Sequence, residues 1–251
     1  MMTDRYDVIP HLKDLRSQSE RKYMHTESGF LNEEEQARAE SVFPESVLVR
    51  YDGGYPGAVK KKVIFLRDEE DDFSDIVCIT AEIDQRFRAI GHRDVLGAIM
   101  SLQVDRHSFG DFWLEDERII LYTSQQMARF FCDNLLRIAN LPVSFEVSAD
   151  HPVQVFHTRE FEVTLSSERM DAIVAALAHV SRAKGAQMIR EGRVQRNHRP
   201  LVKPDEVCDN DCTISIRGTG RFRCLGAVRR TKKDRIVVRF AQDIQGKERS
   251  G

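Results

Sequence analysis

No apolar stretch of the 251-residue chain approaches the ~18 residues that a membrane-spanning helix needs. Glycine and proline are scarce, 14 and 7 residues, which excludes a collagen-like or low-complexity chain. Cysteine is sparse and odd in number, with five residues scattered as Cys78, Cys132, Cys208, Cys212 and Cys224. A disulfide framework is therefore not expected, and a reducing, cytoplasmic setting is the simplest one. The first residues, with Asp4, Asp7, Lys13, Asp14 and Arg16, lack an apolar signal core, so no secretory leader is expected. Aromatic residues make up only 8% of the chain, with the single tryptophan at Trp113. Membrane, fibrous and disulfide-stapled classes are thereby excluded, while the length is ample for a buried core in one to three domains.

Charge is plentiful, at 31% of residues, and unevenly spread. The net charge of −2 averages two opposite regions. Residues 169–240 hold 17 Lys and Arg against 7 Asp and Glu, and the remainder holds 21 against 33. Such asymmetry suggests that one domain meets a polyanion while the rest keeps the chain soluble. The plainer alternative is a solvated charged surface.

Along the chain, residues 1–45 read as helical, with Ile9, Leu12 and Leu15 at helical spacing and Asn32 with Glu35 as a capping box. A turn-rich loop, Tyr51 to Gly57, leads through Lys60-Lys61-Lys62 into a strand at Val63–Leu66, followed by a solvated acidic loop at Asp68–Asp72. Residues 76–148 give strand (Ile76–Ile83), helix (Val95–Leu102), two paired strands (Phe109–Leu114, Arg118–Tyr122), helix (Gln126–Ala139) and strand (Val143–Val147). That order predicts a ferredoxin-like or RRM-like βαββαβ domain. The expected organisation is α+β, with a helical region at 1–75, the RRM-like domain at 76–160 and a basic module at 161–251.

In the basic module, Ser167 is the expected N-cap of a helix whose Met170, Ile173, Val174 and Leu177 form one buried stripe. Ser181 is expected to cap a second helix carrying Ala186, Met188 and Ile189 inward and ending before Gly192. A small hairpin should follow through Val194, Asn197 and Leu201-Val202. The polar positions Arg169, Arg182, Lys184, Gln187, Arg190, Arg193 and Arg196 could hold several phosphates, helped by the helix N-termini.

The run Arg169-Met170-Asp171, Ser181-Arg182-Ala183-Lys184 and Ile189-Arg190-Glu191-Gly192-Arg193-Val194-Gln195-Arg196-Asn197 resembles the S-four RNA-binding domain over about 45 residues. The resemblance implies RNA contact by Arg182, Lys184, Gln187, Arg190, Arg193, Arg196 and Asn197. With Thr26–Leu31, Gly53-Gly54-Tyr55, Gly91–Gly97 and Phe109-Gly110-Asp111 ahead of it, and Ile216–Arg221 and Thr231-Lys232-Lys233 after it, nearly the whole chain is similar to the bacterial YlmH-like proteins. One departure is Ala58-Val59, which stands between the Gly-Gly-Tyr loop and its lysines where a more charged stretch is expected. The resemblance implies a cytoplasmic, non-catalytic RNA-binding protein of the large ribosomal subunit. Ribosomal RNA and tRNA are its implied partners, neither DNA nor membrane is expected, and its setting is ribosome-associated quality control or rescue.

Other candidates carry alternatives. Arg217-Gly218-Thr219-Gly220-Arg221 could bring backbone amides and two arginines to a phosphate, or be a tight hairpin turn. Thr231-Lys232-Lys233 reads as a further turn with lysines. Gly91-His92-Arg93-Asp94 places a His near an Asp, yet no nucleophile is patterned beside it, and helix capping by Asp94 is the preferred reading. Cys208, Cys212 and Cys224, with His198, supply a poor zinc spacing, so free thiols are expected, with no metal, cofactor or catalytic residue. Trp113, near Phe112, either fills the core or stacks on a base. Two rivals stand beside the RNA-binding reading: an RNA-modifying enzyme of the pseudouridine-synthase kind, and a protein-interaction scaffold.

Overall fold

The computed structural model describes residues 7–84, 86, 89–115, 117–154, 157–209, 211–232 and 234–244. Lys233, in the expected lysine turn, and Asp116, in the expected strand turn, lie outside them. The chain is mixed α/β, with six α-helices and several antiparallel sheets among the described residues. It divides into two compact units, Met1–Gln154 and Val155–Gly251.

The first unit opens with α1 (Val8–Lys22), whose N-cap Asp7 accepts from Ile9 N at 3.3 Å and which buries Val8 and Leu12. After β1 (Thr26–Glu27), α2 (Glu33–Glu40) starts with the expected capping box. Glu35 N donates to Asn32 Oδ1 at 3.0 Å, and Asn32 N donates to Glu35 Oε2 at 2.8 Å. With β2 (Val49–Asp52) and β3 (Lys62–Phe65), β1 forms an antiparallel sheet of order β1-β3-β2. Helices and sheet bury Leu12, Leu31, Ala39, Val63 and Phe65 between them.

The same unit continues through β4 (Ile76–Glu82), α3 (His92–Ser101), β5 (Phe109–Glu115), β6 (Arg118–Ser124), α4 (Gln125–Asn134), β7 (Arg137–Ile138), β8 (Leu141–Pro142) and β9 (Glu146–Val147). The sheet is antiparallel in the order β5-β6-β4-β9, with Ile79 opposite both Leu121 and Val147. Alternation along the strands sends Ile79, Ala81, Ile119 and Leu121 to one face, where they pack with Val95 and Ile99 of α3 and Ala128 and Phe131 of α4. The sequence reading extends α4 to Ala139, but the helix ends five residues earlier. Ala139 and Asn140 take φ of 47° and 72°, a two-residue turn that folds 137–142 into the β7–β8 hairpin. Leu135 and Ile138 are buried here although they lie beyond the helix, so an apolar spacing of three does not mark where it ends. The last strand is likewise reduced to Glu146–Val147, although Val143 and Phe145 remain in the core.

The opposite face of this sheet is also covered. Ile76, Cys78, Trp113, Ile120 and Tyr122 meet Phe30, Tyr55 and Ala58 from the preceding segment, all of them buried. The Tyr55 ring lies 4.7 Å from that of Tyr122 and 5.5 Å from that of Trp113, centroid to centroid. Tyr122 donates its hydroxyl to Pro152 O at 2.8 Å. Trp113 is therefore a core residue.

The Asp111 carboxylate pins this cover. It accepts from the Tyr55 hydroxyl at 2.7 Å, Val59 N at 2.6 Å and Lys60 N at 3.1 Å. Gly54 has φ of +91°, and a Cβ there would stand 2.6 Å from Ile76 and 2.7 Å from Tyr122, so only glycine fits this approach. Ala58 fills the cover, which explains the uncharged residue in that loop. The three lysines after it are not a free basic patch. Lys60 Nζ donates to the carbonyls of Arg106 and Phe109 at 2.8 Å each, and burial pushes its pKa down to about 8. Lys62 is buried between Glu27 and Asp75, at 2.7 Å from each.

The second unit contains β10 (His157–Leu165), α5 (Met170–Leu177), α6 (Arg182–Arg190), β11 (Val194–Arg196), β12 (Arg199–Pro200), β13 (Thr213–Ile216), β14 (Gly220–Arg230) and β15 (Ile236–Ile244). Its antiparallel sheet runs β10-β15-β14-β13-β11-β12. The core joins Met170, Ile173, Val174 and Leu177 of α5 and Met188 and Ile189 of α6 to Ile214, Phe222, Val238 and Phe240 of the sheet. Ala186 is only half-buried, and Gly185 takes the innermost place instead. A Cβ on Gly185 would stand 2.8 Å from Asp171 O and 2.9 Å from Ala175 N, so the glycine sets how closely the two helices approach. The long strand pair β14–β15, shifted in register at Gly226, was not resolved into strands by the sequence pattern.

Two outcomes follow from the first unit. Asp111→Ala strips one charged acceptor from three donors, and urea unfolding should show a loss of roughly 3 kcal/mol. His107 lies 3.0 Å from Glu35 Oε1 through Nε2 and 2.7 Å from Asp105 Oδ1 through Nδ1, a geometry that calls for the doubly protonated ring. The Glu35 bond is the main cause that raises the His107 pKa above 6.5. The stabilisation from His107 is thus complete below pH 6.5 and lost as pH rises through the raised value. Glu35 is lowered although burial opposes it, and Asp105 is lowered chiefly by the His107 backbone N–H. Their contributions are present above 4.5 and 3.8 and lost as pH falls. Wild type should therefore lose stability relative to His107→Gln as pH is raised from 6.5, measured by thermal unfolding across a pH series.

Candidate nucleic-acid interface

The N-terminus of α5 is built around the buried carboxylate of Asp171. Arg169 donates through Nη2 at 3.0 Å and Nε at 3.3 Å, and Arg182 donates through Nη2 at 2.9 Å. Burial by itself would raise the Asp171 pKa, but the two guanidinium groups hold it below the usual carboxylate range. Ser167 does not cap this helix. Arg169 is the N-cap residue, and Ser167 Oγ is buried without a hydrogen-bond partner. The first helical donors are satisfied by a strap of chain instead, with Met170 N bonding Glu206 O and Asp171 N bonding Pro204 O, both at 2.8 Å. The strap is held in turn by Cys208 N on Glu168 O at 2.9 Å.

Ser181 caps α6 as expected, accepting from Lys184 N at 3.3 Å. Along the exposed side, Lys184 Nζ donates to Gln187 Oε1 at 3.1 Å and Gln187 Nε2 donates to Glu191 Oε1 at 2.6 Å. Arg190 is exposed in the last turn and makes no ion pair among the described residues. Gly192, at φ +68°, then turns the chain toward β11. Arg193 is joined to the Arg217 turn twice: its carbonyl accepts from Arg217 N at 2.9 Å, and its Nη2 donates to Arg217 O at 3.2 Å.

This junction forms an open cleft of about 400 Å³ whose walls include Arg193, Arg217, Arg221, Gln195, Ser215 and Gly220. The structure thus brings together three of the arginines chosen from the sequence, at a glycine turn where backbone can approach a ligand. Two other chosen residues serve the fold. Asn197, at φ 47°, accepts from Thr213 N at 2.8 Å through Oδ1, and Arg196 is only 19% exposed and paired with Glu206 and Asp209. Arg199 and Arg223 are also exposed, on β12 and β14; strand alternation along 220–230 is the sequence signal for Arg223, and the two-residue β12 carries none for Arg199. Lys232 is also exposed.

The remaining candidates resolve as structural features. Asp94 caps α3, accepting from Gly91 N at 3.0 Å, and His92 stacks on Phe112 with ring centroids 4.2 Å apart. Cys208 and Cys212 come together with Sγ atoms 2.9 Å apart. Among the described residues, no group of three His, Cys, Asp or Glu is arranged to hold a metal ion. No described helix is long and apolar enough to cross a membrane.

Residues 68–152 match the family model described as "Putative RNA-binding domain in YlmH". Over 218 residues the chain is 28% identical to the ribosome-associated protein quality control protein P2 of Bacillus subtilis (strain 168), with 84% of each chain covered. A solved structure, the cell division protein ylmH from Streptococcus pneumoniae, superposes with a TM-score of 0.46 at 17% identity, covering 59% of this chain and 94% of that one. The matched segment 68–152 coincides with the β4–β9 domain, and the relative spans both units. Residues 68–152 are thus similar to the RNA-binding domain described in YlmH, and most of the chain is similar to the Bacillus subtilis relative.

Proposed function

We propose that this protein is a non-catalytic, cytoplasmic RNA-binding factor. In this reading it associates with the large ribosomal subunit and tRNA when stalled ribosomes are handled. The relative named for ribosome-associated quality control supports the setting. The convergence of Arg193, Arg217 and Arg221 on one cleft, in the region with 17 basic against 7 acidic residues, carries the RNA-binding assignment. Guanidinium groups suit phosphates because their fork matches two oxygens at once, and glycines at the turn allow a backbone approach.

We read the α5–α6 pair with the β11–β12 hairpin as the S-four module, and 76–160 as a ferredoxin-like domain behind the helical region 1–75. The sheet order β5-β6-β4-β9 is the one a split βαβ arrangement requires. The sheet face that could have stacked bases is occupied by Phe30, Tyr55 and Ala58. RNA contact by that domain then falls to its other surfaces, where Arg93 and Arg129 are exposed. Recognition rests on phosphates, 2′-hydroxyls and shape rather than on stacked bases. Arg193, Arg217 and Arg221 at the cleft, with Arg190, Lys184 and Gln187 of α6, are the contact residues; Arg169 and Arg182 contribute from the Asp171 clamp.

The protein should sediment with large ribosomal subunits at low salt, more strongly with peptidyl-tRNA present, and be released steeply as salt rises. Absence of any association at low salt would overturn the assignment. Arg217→Ala should weaken RNA binding and lower the salt slope by about 1, with the unfolding midpoint unchanged. Fluorescence anisotropy over a salt series measures both.

A further inference from the structure

Cys208 and Cys212 lie on two separately anchored pieces of backbone. Cys208 ends the strap, its N–H bonded to Glu168 O, while Cys212 enters β13 with its carbonyl accepting from Cys224 N at 3.0 Å. Between these anchors the two Sγ atoms approach to 2.9 Å. A disulfide needs about 2.05 Å, so closure asks for less than ~1 Å of sulfur movement. Cys208 is half-buried, and its thiol donates to Asp209 O at 3.3 Å, whereas Cys212 is buried at 2% exposure. One thiol is thus reachable from solvent and the second waits directly behind it, the arrangement of an attacking and a resolving cysteine.

We propose that Cys208 and Cys212 are an oxidisable dithiol that closes to an intramolecular disulfide on exchange with a low-molecular-weight disulfide, fixing the strap of residues 203–209 to β13. Cys208 sulfur attacks one sulfur of the small disulfide, forming a mixed disulfide and expelling one thiolate. Cys212 sulfur then attacks Cys208 sulfur and expels the second. Two cysteine thiols are oxidised by two electrons, the small disulfide is reduced by two electrons, and the two protons leave on the two released thiols. The inference extends beyond RNA binding and does not depend on it.

The strap supplies the carbonyls of Pro204 and Glu206 to the first turn of α5, and its Glu206 and Asp209 hold Arg196. Closure therefore restrains the segment that orders Asp171 and its two arginines.

The test uses the full chain in buffers of glutathione and its disulfide at graded ratios, followed by alkylation, peptide mapping and intact mass. The expected product has lost two hydrogens, links Cys208 to Cys212 and leaves Cys224 alkylatable, in wild type and in Cys224→Ser alike. Cys212→Ser should instead retain glutathione on Cys208. In the oxidised protein, hydrogen exchange at the Met170, Asp171 and Cys208 amides should slow severalfold. Free Cys208 and Cys212 under excess glutathione disulfide, or a bond from either to Cys224, would overturn the proposal. Unchanged exchange at those three amides would overturn the restraint on the strap.

Discussion

A single buried carboxylate organises the basic unit. Asp171 draws in Arg169 from its own helix start and Arg182 from the next helix, while its backbone N–H takes a carbonyl from the strap and its backbone oxygen faces Gly185. Asp171 thus ties α5 both to α6 and to the strap. A buried carboxylate is costly unless paired, and here two guanidinium groups offset that cost from the solvent side. The clamp arranges positive charge without neutralising all of it: each arginine side chain remains nearly half exposed, at 43% and 47%.

Within this unit the arginines divide by what faces them. Arg196 is enclosed by Glu206 and Asp209, and Arg229 and Arg239 share Glu162, so these cations fix strands and strap. Arg190 has no carboxylate against it among the described residues, and Arg217 lies exposed on the cleft opposite Arg193. A basic sequence composition therefore overstates the charge available to a polyanion. Arg190 at the exit of α6 and Arg217 on the β13–β14 turn lie on two backbone segments joined through Arg193 and Arg217.

The capping box of α2, the Ser181 cap, the Gly192 turn and the Met170-Ile173-Val174-Leu177 stripe are local patterns, and they were readable because the atoms that enforce them lie within a few residues. The failures have a common cause. Ser167 was expected to cap α5 because nothing local shows that carbonyls from Pro204 and Glu206, more than 30 residues away, already serve its donors. The end of α4 turned on left-handed Ala139 and Asn140, and only Asn140 advertises that conformation. The approach of Cys208 to Cys212 does not show in a spacing that reads as free thiols, because the contact depends on a strap and a strand meeting. In the cleft, Arg193, Arg217 and Arg221 could be chosen as basic residues near glycines, but their meeting required the pairing of β11 with β13.

The covered sheet face has a consequence for how the chain is made. Trp113, Tyr122 and Ile120 would form an adhesive aromatic surface if left open, and Phe30, Tyr55 and Ala58 close it. The covering residues all precede the strands they cover, so during synthesis the lid leaves the ribosome before the surface that needs it. Asp111, the residue that locks the lid by three hydrogen bonds, arrives on the same strand as Trp113. The sticky face and its fastening are thus delivered together, to a cover already waiting.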